Sequence, residues 1–156
     1  MTKGIITLML MIIALGACNS FMKKEIKVYI EVGKYGWYFV FIENVDKEIS
    51  AEEPIALDLT DENFAIVKLG NPAKYKLRIY DKDSNKELSQ DMKMISYSGN
   101  YEAFMSCKFY YPNPEKYPDD IFRTDVNDPR SYIRKDINRR GSEMLDSIMK
   151  QHDLHW

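Results

Sequence analysis

Histidine is nearly absent from this 156-residue chain, which has only His152 and His155, both at its end. A Ser-His-Asp or Cys-His catalytic group would have to draw its base from that tail. Cysteine is equally scarce, with Cys18 and Cys107 alone. Two cysteines exclude the disulfide framework of a small secreted scaffold. Positive charge is not in excess: 22 basic residues face 24 acidic ones, for a formal net charge of −2 and a pI near 5.7. That balance argues against a nucleic-acid binder, which would carry a basic stripe and a high pI. No long apolar run follows residue 18, so no second membrane segment is expected. The length suits about one domain with one real core.

What is present begins with the leader. Lys3 supplies a positive start, and Gly4 to Leu15 form a short uncharged apolar core. Such a core is too short for a membrane helix, which needs about 20 residues, and it fits a cleaved signal peptide over residues 1–17. The segment ends in Leu15-Gly16-Ala17-Cys18. This quartet resembles the lipobox of bacterial lipoproteins: a branched apolar residue, two small residues and a cysteine. The resemblance implies that the Cys18 thiol takes a diacylglycerol, that the chain is cut before it, and that the new amine is acylated. Two or more acyl chains anchor stably where one does not. Asn19, in place of aspartate, favours the outer membrane in diderm bacteria by the same resemblance. The expected address is therefore the cell envelope, with residues 18–24 as a lipidated tether.

Residues 25–111 have the composition of short strands. Glu25 to Val32 alternates, with Val28, Ile30 and Val32 on one side and Lys27, Tyr29 and Glu31 on the other. After the Gly33-Lys34-Tyr35-Gly36 turn, Trp37 to Glu43 is apolar on both faces, which predicts a strand covered above and below. The pair reads as a hairpin. Further strands are expected at Ile55 to Leu59, Asn63 to Leu69, Tyr75 to Tyr80, Met92 to Tyr97 and Phe104 to Tyr111. Six or seven strands without helical crossovers predict a mostly β, antiparallel sandwich or partial barrel. Residues 112–128 form a Pro-rich acidic loop. A helical segment over 129–151 follows, opened by Asp128-Pro129 and striped by Ile133, Ile137, Met144 and Ile148, with Leu145 and Met149 beside them. Gly141-Ser142 interrupts it, as a close packing point in one helix or as the cap of a second. Residues 27–40 resemble the opening of small β-domains in uncharacterised bacterial lipoproteins; that resemblance implies a β-sandwich and no particular activity.

Few motifs carry chemistry. Asp81, Asp83 and Asn85 open like a calcium loop, but Lys86 stands where its glycine belongs and Met92 where its glutamate belongs. A hairpin turn is expected there. His152, Asp153 and His155 have zinc-like spacing, but they lie in a segment expected to fray or dock loosely. Cys107 shares a strand face with Met105 and Phe109, so a buried inert thiol is expected. Asp119-Asp120 and Glu52-Glu53 are the paired acids a hydrolase would need, read as solvated loop charge. Arg130, Arg134, Lys135, Arg139 and Arg140 make a basic helix start, read as solvated surface. No metal and no cofactor are expected.

Aromatics are plentiful, with 11 tyrosines. Tyr35, Trp37, Tyr110, Tyr111 and Tyr117 form a candidate binding platform, since aromatic faces hold sugar rings or extended chains. The expected function is non-catalytic binding of a protein, peptide or glycan by a lipid-anchored envelope protein. An envelope assembly accessory and an acid-based hydrolase are the alternatives.

Overall fold

Sheet-to-sheet alternation organises the chain. The structure is a computed structural model and describes residues 24–45, 55–100, 104–123, 125 and 127–154. The leader, Cys18, Glu52-Glu53, His155 and most of the tether lie outside the described residues. Seven strands follow in order: β1 (Lys24–Ile30), β2 (Gly36–Asn44), β3 (Ile55–Asp58), β4 (Phe64–Leu69), β5 (Tyr75–Asp81), β6 (Lys93–Ser98) and β7 (Phe104–Tyr111). Among the described residues one α-helix, α1 (Ser131–Gln151), follows the strands. One sheet has the order β3-β1-β5 and the other β4-β2-β7-β6. The expected two-layered, mostly β architecture with a C-terminal helix is present, as a sandwich and not a closed barrel.

Strand direction departs from the antiparallel expectation. β1 runs parallel to β3 and β5, and β2 runs parallel to β4; among the described strands β2–β7 and β6–β7 are the antiparallel pairs. Each connection from β1 to β5 carries the chain into the opposite sheet. A strand that crosses and returns points in its original direction, so every second strand is parallel to its predecessor. A parallel pair needs a long crossover, commonly a helix; here a strand of the other sheet fills that role.

The expected β1–β2 hairpin is likewise corrected. β1 and β2 lie in different sheets and meet face to face, not edge to edge. Ile26, Val28 and Ile30 of β1 share one buried cluster with Tyr38, Val40 and Ile42 of β2, Leu77 and Ile79 of β5, and Met105, Cys107 and Phe109 of β7. The cause is the two-sided apolar character of β2. Its inner face needs a covering layer, and β1 brings one that is apolar on the matching side. The turn between them has Gly33 at φ 99° and Gly36 at φ 148°, conformations that cost a side-chain-bearing residue and suit glycine.

The other face of β2 builds a second core. Trp37, Phe39 and Phe41 cluster with Phe104, Tyr110 and the α1 residues Ile137, Leu145, Ile148 and Met149. The four-stranded sheet is thus a middle layer, as the pattern of Trp37 to Glu43 predicts. α1 is one helix, and Gly141 is its close packing point: a Cβ there would overlap the Trp37 indole. The Trp37 indole N–H donates to the Ile137 carbonyl at 2.9 Å. Lys108 of β7 enters the same seam, with Nζ 5.4 Å from the Trp37 ring and 3.0 Å from Ser142 Oγ. Burial there pushes its ammonium below the usual lysine range.

The helix ends differ from expectation in detail. Asp128 accepts from the Arg130 N–H at 2.7 Å, and its carbonyl accepts from Ser131 N–H at 2.8 Å. Asp128 and Pro129 therefore form an opening turn, and regular helix starts at Ser131. Met144, placed on the apolar stripe by spacing, is exposed, because the stripe turns toward Leu145 as α1 follows the sheet. The tail does not fray before Leu154. Asp153 takes φ 54°, Leu154 N–H donates to the Met149 carbonyl at 2.9 Å, and Leu154 is buried beside Met149. That is a Schellman ending with its apolar contact. His152 rests on Phe64, ring centroids 5.0 Å apart.

Gly141→Ala tests the seam. Alanine favours a helix over glycine by about 1 kcal/mol, but overpacking costs about 1–3 kcal/mol, so a net loss in urea unfolding is expected. Combining it with Trp37→Phe should cost less than the two losses summed, because the smaller ring vacates the overlap.

Candidate functional site

One end of the sandwich gathers the chain's most mixed chemistry. Gly36 pairs with Tyr111 across β2–β7, so the start of β2 and the end of β7 lie together. The parallel pairings bring the ends of β1 and β3 and the start of β4 to the same end. A cleft of about 600 Å³ opens there between the β1–β2 turn, the β3–β4 loop, the segment after β7 and α1. This volume is that of a small-molecule or oligomer subsite.

Its floor is aromatic. Trp37 and Tyr110 line it with ring centroids 5.2 Å apart, and Tyr117 meets Tyr110 edge-on at 6.5 Å. Trp37 is only 6 % exposed and Tyr110 8 %. They belong to the second core and show the cleft little more than an edge, which corrects the reading of both as exposed platform residues. Tyr35, at 41 % exposure, stands on the rim. Tyr111 meets Tyr35 at a tilt, ring centroids 5.2 Å apart, but lines a neighbouring hollow of about 250 Å³, which shares Tyr117 with the cleft. Four of the five candidate aromatics therefore border one cleft, and the fifth backs it.

The polar rim is held by internal bonds. Lys34 Nζ bonds the Thr60 carbonyl at 2.7 Å and pairs with Glu31 at 2.7 Å. Lys82 pairs with Asp58 at 2.6 Å and reaches Thr60 Oγ1 at 3.3 Å. The Lys82 and Thr60 hydrogen bonds hold the Asp58 carboxyl down at about 2. Asn63 donates to the Trp37 carbonyl at 3.2 Å, tying the β3–β4 loop to the floor. Tyr38 donates to the Lys34 carbonyl at 2.6 Å, which fixes the turn from below. Sequence reasoning missed Thr60, Asp61, Glu62, Asn63, Asn113 and Met144 as lining residues. Only the exposed apolar Met144 carries any signal, and it shows once burial is known.

The remaining candidates are accounted for elsewhere. Asp81 folds its carboxylate into its own turn, accepting from the Ser84 hydroxyl and backbone N–H. The segment is a turn, and no cluster of metal-binding side chains occurs among the described residues. Asp119 pairs with Lys93 at 3.4 Å and Asp120 with Arg130 at 2.5 Å, so each acid is matched to a cation. Arg139 pairs with Asp136 and Glu143, and Arg140 with Asp136. Cys107 is 1 % exposed, and burial pushes its thiol up to about 12.

No family model matches the sequence, and no curated protein matches it. A crystal structure of a "Putative Lipoprotein" from Bacillus anthracis is similar in part. It shares 14 % identity with a TM-score of 0.35, over 75 % of this chain and 94 % of that one. The fold described above rests on its own strand order and not on that likeness.

The buried Cys107 thiol and the buried Tyr38 hydroxyl, each raised by burial to about 12, set an alkaline limit. Both ionise more readily unfolded than folded. Their stabilising effect is whole below their unfolded values and is lost as pH rises toward 12. Stability in urea should therefore fall through this alkaline window, less steeply in Cys107→Ala. Native Cys107 should resist a thiol-alkylating reagent at neutral pH and react on unfolding.

Proposed function

We propose that this is a lipid-anchored protein of the bacterial cell envelope, outer membrane in a diderm host, that binds a glycan in the cleft and performs no chemistry on it. The carrying observation is the cleft itself: an aromatic floor, the exposed ring of Tyr35 and the half-buried ring of Tyr117, and a polar rim held by internal hydrogen bonds. Sugar rings offer C–H faces to aromatic rings and hydroxyls to amides and charged groups. A rim already fixed by Lys34, Thr60 and Asn63 loses little freedom when a ligand arrives. The lipobox-like Leu15-Gly16-Ala17-Cys18 supports the anchor.

Two other readings keep an observation each. Asp61 and Glu62 are neighbouring acids on the cleft wall, which a hydrolase would use. Ile95 and Tyr97 are exposed on β6, the last strand of its sheet, and an assembly accessory would use such an edge.

Cys18→Ser should move the protein from the membrane to the soluble fraction; membrane retention would remove the anchor from the proposal. In glycan-array and calorimetric binding with the soluble Cys18→Ser protein, Tyr117→Ala and Tyr35→Ala should each weaken binding about tenfold, or about 1.4 kcal/mol. Glycan cleavage that stops in Asp61→Asn or Glu62→Gln would favour the hydrolase. Binding confined to peptides would overturn the glycan.

A further inference from the structure

The position of the cleft relative to the chain's entry point limits what can reach it. β1 begins at Lys24, beside Tyr75 of β5. β1 then runs the length of the sandwich, and the cleft opens beyond its far end, between the β1–β2 turn and the β3–β4 loop. Seven strand residues cover about 20 Å at about 3.3 Å each. Six residue steps separate Cys18 from Lys24 in the sequence, and a fully stretched chain of that length spans about 20 Å at most.

From these two lengths we infer that the cleft is held at the membrane-distal end of the domain, open to a polysaccharide chain arriving from the aqueous side and out of reach of the headgroups of the anchoring bilayer. The inference rests on the proposed lipid anchor at Cys18. Turning the cleft to the bilayer would require the tether to double back along the whole of β1. That path consumes its full stretch before the β1–β2 turn is passed. Any tilt short of lying flat keeps the cleft farther from the bilayer than Lys24 is. A glycolipid or phospholipid headgroup of the same leaflet is therefore the wrong occupant, and a polymer rooted elsewhere in the envelope is the right one.

The test uses the lipidated protein purified from membranes and reconstituted into phosphatidylcholine vesicles, in a Cys107→Ala background. One variant carries Glu62→Cys on the cleft rim and a second carries Ala73→Cys near Lys24; both positions are exposed. Vesicle flotation comes first. Protein that fails to float with vesicles refutes the anchor, and the orientation falls with it. For protein that floats, the probe is a maleimide-dextran, which has the bulk of a polysaccharide. Glu62→Cys should react as fast on vesicles as in the soluble Cys18→Ser protein, while Ala73→Cys should be slowed several-fold by the bilayer. Floating protein with Glu62→Cys slowed as much as Ala73→Cys, or more, overturns the orientation and leaves the anchor and the binding cleft standing.

Discussion

The contact between the Trp37 indole and α1 is the constraint on which the rest of the architecture depends. Gly141 lets the helix backbone sit against the ring, and the Trp37 N–H closes the approach through the Ile137 carbonyl. An indole buried without that acceptor would leave a polar group unsatisfied, at a cost of about 1–3 kcal/mol. The seam seals the outer face of β2, which is too apolar to meet water, and it makes one wall of the cleft. Core and cleft therefore share a residue. Trp37 belongs to the second hydrophobic cluster and to the cleft floor at once, so the shape of the one governs the shape of the other.

Much of this was legible from residue patterns, and the failures have a common cause. The two-sided apolarity of Trp37 to Glu43 foretold a middle layer, and the alternation of Tyr75 to Tyr80 foretold which side chains point inward. A period of two tells which face is buried. It does not tell whether the covering strand lies beside its neighbour or across from it, so β1 and β2 read as a hairpin and proved to be facing layers. The parallel pairings escaped for the same reason. The helical stripe was readable, but the object filling the space over Gly141 was not, because Trp37 lies far from it in sequence.

The cleft was legible by residue type and not by arrangement. Tyrosines near the Pro-rich loop pointed to an aromatic site, and their convergence needed the sheet register that sets Gly36 beside Tyr111. Burial of Trp37 and Tyr110 follows from α1, which no local pattern around either residue records. The β3–β4 loop carries polar and acidic residues like those of several other loops here. It becomes special only because parallel pairing delivers the ends of β1 and β3 to one place.

β1 is the central strand of its sheet, with parallel partners on both sides over most of its length. A tug on its first residue, the point nearest the proposed lipid, against a load held at the opposite end acts along the strand axis. The force is then shared by two hydrogen-bonded ladders in shear, where an edge strand or hairpin would peel one bond at a time. Tension along that line therefore loads β1 between two ladders at once.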